Sequence, residues 1–136
     1  MAGFSDFWEK EVLNLMFQED ALPAVSAWLF LATTTISDAD TGATVSVYEP
    51  GNNYSRVCAS AVAWASAVAG TNGCILSATL SFPSSTGSWG TITHWGICSA
   101  SVAGNLICFA SVATEQTIGV DTIVQFTEGS ISVTIS

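Results

Sequence analysis

The amino-acid sequence changes its grammar once, and the change falls at Pro23. Before it, Phe4, Trp8, Val12, Leu15 and Met16 recur at helical spacing, which lays one apolar stripe along one side of a helix. After it the spacing drops to two residues, in short β-branched and aromatic runs cut by Gly, Asn, Pro and Ser clusters at intervals of about ten residues. A period of two puts alternate side chains on opposite faces of an extended chain, so most of the molecule must be strands. Many short strands within 136 residues imply two facing sheets or a small closed barrel. The favoured expectation is an all-β fold, a jelly-roll-like antiparallel β-sandwich with a short N-terminal α-helix. Residues 1–22 form the amphipathic helical segment and residues 23–136 the sandwich domain.

The helix is expected to stop before Pro23, with Asp6 and Glu9 forming a capping box and the early acids favoured by the positive end of the helix dipole. In Val25 to Thr34, Val25, Ala27, Leu29 and Leu31 share one face and Ser26, Trp28, Phe30 and Ala32 the other, so this strand should be central and covered on both sides. Val45 to Tyr48 reads as a short edge strand after a polar loop over residues 38–43, and Glu49 to Asn53 reads as a turn cluster. Arg56 to Ala69 alternates small residues as a strand, with a helix as the rival reading because Ala favours helices. Ile75 to Phe82, Trp89 to Cys98, Leu106 to Val112, Thr122 to Thr127 and Ser130 to Ile135 bring the total to about eight strands.

Composition narrows the function. Only Lys10 and Arg56 are basic, against eleven acidic residues, giving a formal net charge of −9. Phosphate backbones and anionic headgroups both attract cations, so neither nucleic acid nor a membrane surface is an expected partner. No apolar run reaches the roughly 18 residues of a spanning helix. The N-terminus carries acids where a signal peptide needs positive charge, so the expectation is an unprocessed chain made in the cytoplasm. Charged residues are 10% of the chain and hydrophobic ones 49%. A surface of Ser, Thr, Gly and Ala over so apolar a chain suits one that lies against other subunits.

Catalytic and metal-binding patterns are sparse. His94 is the one imidazole, placed by alternation on a face with Ile92 and Gly96, with no nucleophile motif nearby, and it reads as structural. The carboxylates Asp38, Asp40, Glu49, Glu115, Asp121 and Glu128 sit in or beside loops and read as solvated. Cys58, Cys74, Cys98 and Cys108 form no C-x-x-C pair, so no zinc site and no cofactor is expected. The default is free, buried thiols; Cys98 and Cys108 flank the turn over residues 101–105 and form a possible disulfide across a hairpin. Arg56, the one cation among the β-region acids, should pair with a carboxylate, inside the domain or across a subunit boundary.

Several stretches then occur in a telling order. They are the acidic N-terminal helix, Trp28-Leu29-Phe30-Leu31-Ala32-Thr33-Thr34, Tyr54-Ser55-Arg56-Val57, the block from Phe82-Pro83 through Trp89-Gly90 to His94-Trp95-Gly96-Ile97, and Gly104-Asn105-Leu106-Ile107. The arrangement resembles a family of small tailed-phage virion proteins, often labelled tail fibre proteins and similar to capsid decoration (cement) proteins. The resemblance implies a non-enzymatic structural role. The expected function is a capsid decoration protein that trimerises on the major capsid protein lattice at the capsid surface and stabilises the head. The alternative is a tail or tail-fibre component involved in host attachment. Symmetric association would bury the apolar surface. The candidate partner interface is Phe4, Phe7, Trp8, Val12 and Leu15 on the helix, with Arg56, unless that helix instead packs over an open end of its own sandwich.

Overall fold

A computed structural model describes residues 3–18, 26–59, 64–65 and 73–134. Among them, β1 (Gly3–Phe4) leads into α1 (Asp6–Phe17), followed by β2 (Trp28–Ala32), a 3-10 turn (Val45–Val47), β3 (Val57–Cys58), β4 (Gly73–Ile75) and β5 (Leu80–Ser81). The chain ends with β6 (Gly90–Cys98), β7 (Leu106–Ile118), β8 (Gln125–Phe126) and β9 (Ser132–Thr134). A five-stranded sheet runs in the order β1-β7-β6-β2-β3, and two small ladders, β4-β9 and β5-β8, complete the antiparallel set. This is the all-β sandwich with one N-terminal helix that the sequence implies.

The strand β2 is central, between β6 and β3, and its alternation splits the interior in two. Leu29 and Leu31 enter the main core with Leu76, Leu80, Phe82, Trp89, Ile92, Trp95, Ile97 and Ile131. Phe30 and Ala32 point the other way, into a smaller core with Ile36, Val45, Cys98 and Leu106. Covering both faces of one sheet explains why a strand this apolar needs no polar side.

Several expectations are corrected. Residues 45–47 form a 3-10 turn and not an edge strand; Thr41 and Thr44 exchange side-chain to backbone hydrogen bonds of 2.8 and 3.2 Å that wind the chain just before it. The strand expected over 75–82 is two pieces, because Ile75 pairs with Ser132 and Leu80 with Phe126, on different partners. Ser5, not Asp6, takes the N-cap position, and no side chain caps the helix. The Ser5 hydroxyl instead donates to the Leu106 carbonyl, while the Asp6 N–H donates to the Asp38 carbonyl at 3.1 Å. Most of the strand expected over 56–69, the start of the strand at Val25, the end of the last strand at Ile135 and the domain boundary at 22/23 lie outside the described residues.

Candidate functional site

The conspicuous Phe82-to-Trp89 segment proves to be a loop clamped from both sides. Asn52 and Asn53 adopt left-handed backbone, with φ of 56° and 67°, a conformation Asn tolerates better than most residues. From there their amides donate to the carbonyls of Ser88 at 2.8 Å and Ser84 at 2.9 Å. The Trp89 indole N–H donates to the Asn52 carbonyl at 3.0 Å, and Tyr54 stacks on Phe82 at 5.8 Å and meets the edge of Trp89 at 5.4 Å. On the far side the buried Ser85 hydroxyl donates to the Gly119 carbonyl at 2.6 Å and accepts from the Thr122 N–H at 3.0 Å.

Arg56 makes the internal pair. Its guanidinium donates to the Glu49 carboxylate from Nε at 2.9 Å and from Nη2 at 2.6 Å. Its other three N–H groups go to the carbonyls of Ala100, Ala103 and Gly42, at 2.9, 2.8 and 2.8 Å. Arg has five donors, and all five are used. The side chains are 2% and 10% exposed, so the cation is spent inside the domain and is withdrawn from the expected interface set. It also lies 5.5 Å over the Phe30 ring, where it seals the smaller core. Burial is the largest influence and opposes the charge, but hydrogen bonding to Glu49 together with the charges of Cys98, Glu49 and Tyr54 outweighs it and raises the guanidinium pKa. Burial, reinforced by Glu49, pushes the Tyr54 phenol far above its ordinary value, so the group keeps its proton while its oxygen accepts from the Leu31 N–H at 2.9 Å. A cavity of about 460 Å³ adjoins Arg56, Glu49 and Trp28, yet the guanidinium has no free donor to offer an anion there.

The N-terminal candidates divide by position. Phe4, expected on the helix, lies in β1 opposite Cys108 and packs against the main core, while Trp8 is 6% exposed, edge-on to Phe7, which is half-buried like Val12. These residues pack inward, as the helix-as-cover alternative expects. Leu15 does face outward, and with it stand three residues outside the candidate interface set: Met16 (66% exposed), which the stripe did include, and Leu13 and Phe17 (76% exposed), which it did not. The signal was present as apolar residues in excess of one helical face, at consecutive positions 15–17.

Cys98 and Cys108 are free thiols, which corrects the disulfide expectation. The hairpin pairs Cys108 with Ile97 and not with Cys98, so the two side chains leave the sheet on opposite faces and join different cores. Burial pushes each thiol up to about 12. His94 shares its face with the smaller core and not with Ile92, because a bulge intervenes, and its Nδ1 sits 2.9 Å from the Thr93 hydroxyl. Among the described residues no three His, Cys, Asp or Glu side chains converge to hold a metal ion, and no helix is long and apolar enough to cross a membrane. Asp40 closes its own loop, accepting from the Ser37 N–H at 2.8 Å and the Thr44 hydroxyl at 2.9 Å.

The bulge also opens a cavity that the sequence reading missed. Ile92 pairs with Gln116 and His94 with Ser111, so Val112, Ala113, Thr114 and Glu115 stand opposite Thr93 alone. Between this expanded stretch of β7 and residues 122–126 lies a cavity of about 480 Å³, with Trp95, Phe126, Ile92 and Val112 as its apolar lining and Gln116, Gln125 and Thr114 as polar lining.

Fold and sites together define a class: a small antiparallel sandwich module whose ion pair and two of whose thiols, Cys98 and Cys108, serve the interior, and which exposes Leu13, Leu15, Met16 and Phe17 at one helix end. The chain belongs to the family described as Podophage GP4 fiber I protein gp80, whose model matches residues 3–134. It is a bacteriophage virion structural protein of fibre type. No curated protein matches the chain.

Proposed function

We propose that the chain is a component of a virion fibre that takes part in host attachment, acts without catalysis and self-associates as a homotrimer. The family match across residues 3–134 carries the fibre reading. Self-association is supported by Leu13, Leu15, Met16 and Phe17, which leave an apolar helix end in water; burial against another copy would gain about 25 cal/mol per Å² of that surface. Capsid decoration, on the lattice of the major capsid protein, is the second reading, and the same helix end together with the scarcity of charge supports it.

Gold-labelled antibody on intact particles, with densitometry of the purified virion, separates the two. Label on the appendages and a copy number in the tens or fewer is expected; label over the head with hundreds of copies would replace fibre by decoration. Light scattering on the purified chain should give three times the 14.1 kDa mass, and Met16→Ser with Phe17→Ser should return it to a monomer. A monomeric unmodified chain would refute the trimer.

A further inference from the structure

The cavity beside the β7 bulge is unusual in what lines it. Alternation in a strand should place apolar residues on the inward face, and the partner of the buried Ile92 on that face is Gln116. Gln116 is nonetheless exposed, because the four-residue bulge next to it holds the sheet open and no side chain packs over it. An inward-facing position given to an amide, next to a large bulge, matches the way bulges re-aim side chains at binding sites. The floor is aromatic: Trp95 and Phe126 meet at 6.4 Å between ring centroids with planes inclined at 62°. At the mouth, the Gln125 amide nitrogen donates to the Ser81 hydroxyl at 2.8 Å, which fixes the amide and leaves its carbonyl oxygen as an acceptor. Among the described residues, the Gln116 and Thr114 side chains have no hydrogen-bond partner, which leaves their donors and acceptors to a ligand.

Charge completes the description. In a chain of net charge −9, no acidic or basic side chain among the described residues lines this cavity, and Glu115, the acid of the bulge, is absent from its wall. An ionic ligand would find no counter-charge. A purely aliphatic ligand would leave the Gln and Thr groups without partners, which costs affinity. A neutral, polyhydroxylated ring with one apolar face satisfies both halves of the lining: C–H groups against Trp95 and Phe126, hydroxyls to the amides of Gln116 and Gln125. The volume lies within the range of small-ligand pockets.

We infer that this cavity binds one neutral saccharide unit, held by the Trp95 and Phe126 rings and by the side-chain amides of Gln116 and Gln125. The inference rests on the attachment reading for its purpose, since a fibre would meet such units on a host surface, but not for its chemistry.

The test titrates the full-length, isotope-labelled chain separately with glucose, galactose, rhamnose and N-acetylglucosamine into the millimolar range, following the Trp95 indole and Gln116 amide resonances. At least one sugar should give saturable shifts at both groups. Gln116→Ala, at an exposed position, should keep the melting temperature and weaken that sugar about ten-fold. No saturable shift with any of the four overturns the inference. So does binding that is unchanged in Gln116→Ala, or tighter binding of glucuronate than of glucose. Particle labelling reports independently: a sugar-binding chain found on the head keeps the cavity's role and removes attachment, whereas a fibre-located chain blind to all four sugars does the reverse.

Discussion

The central sheet is covered on its two faces by different physics. On one face Leu29, Leu31, Trp95, Ile97 and Cys108 lie under aromatic and aliphatic side chains, Phe82, Trp89, Leu76 and Ile131 among them. On the other, Phe30, Ala32, Cys98 and Leu106 have, among the described residues, Ile36 and Val45 as buried apolar company with the partly buried Tyr48 and Phe109, and the Arg56–Glu49 pair closes the gap. The broad apolar face tolerates an opening, the cavity at the bulge, because dispersion contacts are many and individually weak. The narrow face is sealed instead by directional bonds, five from a single guanidinium that draw together the Glu49 carboxylate and three carbonyls of two loops. Such a seal is strong while complete and fails at one substitution.

Arg56→Ala is therefore the sharpest way to break the contrast. It strands a Glu49 side chain 10% exposed and three carbonyls, and removing one partner of a buried pair costs about 3–5 kcal/mol in urea unfolding. A loss below about 1 kcal/mol would place the smaller core's stability elsewhere. Replacing both partners by apolar residues of similar size should recover much of the loss, since the orphaned carboxylate goes too. Next in size is Gly96→Ala on the same face. A Cβ there would come within 2.5 Å of the Phe30 ring and 2.9 Å of the Cys108 carbonyl oxygen, so ring and strand must shift, for about 1–3 kcal/mol of overpacking.

These positions also show what a sequence can disclose. The helix and the two-faced β2 were legible because their periods are local: Leu29 and Phe30 announce their faces within five residues. The all-β class followed from the same kind of signal. What stayed hidden depends on partners distant in sequence. Val45-Ser46-Val47 alternates like a strand, but Thr41 and Thr44 wind it into a turn. Ile92 and His94 looked like face-mates until the bulge separated them, and nothing in Val112 to Glu115 marks four residues set against one. The cavity is a product of that register shift, so its lining could not be assembled from spacing. Arg56 was legible as a cation needing a carboxylate; that Glu49 would be the partner depended on the fold of the loop between them.

Ser85→Ala tests the broad face at its rim, with a smaller effect. The hydroxyl ties residue 85 to Gly119 and Thr122, but water can reach the exposed turn at 119–121 once it is gone, so about 1 kcal/mol should be lost. A loss as large as that of Arg56→Ala would mean that the broad face, too, hangs on single hydrogen bonds.

The two buried thiols, one on each face, give an effect that appears only at alkaline pH. Burial in the main core raises Cys108 to about 12, and burial in the smaller core raises Cys98 to about 12 although Arg56 pulls it down. Both groups hold their protons more tightly folded than unfolded, where the thiol value is about 8.5. The unfolded state therefore binds fewer protons at alkaline pH, and stability falls as pH rises above the unfolded value, continuing until the folded value is passed. Below pH 8 neither thiol contributes any slope. Stability measured by urea unfolding between pH 8 and 10 under reducing conditions should decline, and Cys108→Ala and Cys98→Ala should each flatten the decline. Alkylation at pH 8 should follow the same order of burial: exposed Cys58 first, half-buried Cys74 next, and Cys98 and Cys108 only with unfolding. Ready labelling of Cys98 in the folded chain would mean that the ion-pair seal opens on the timescale of the reagent, while Cys108 beneath the aromatic cover stays closed.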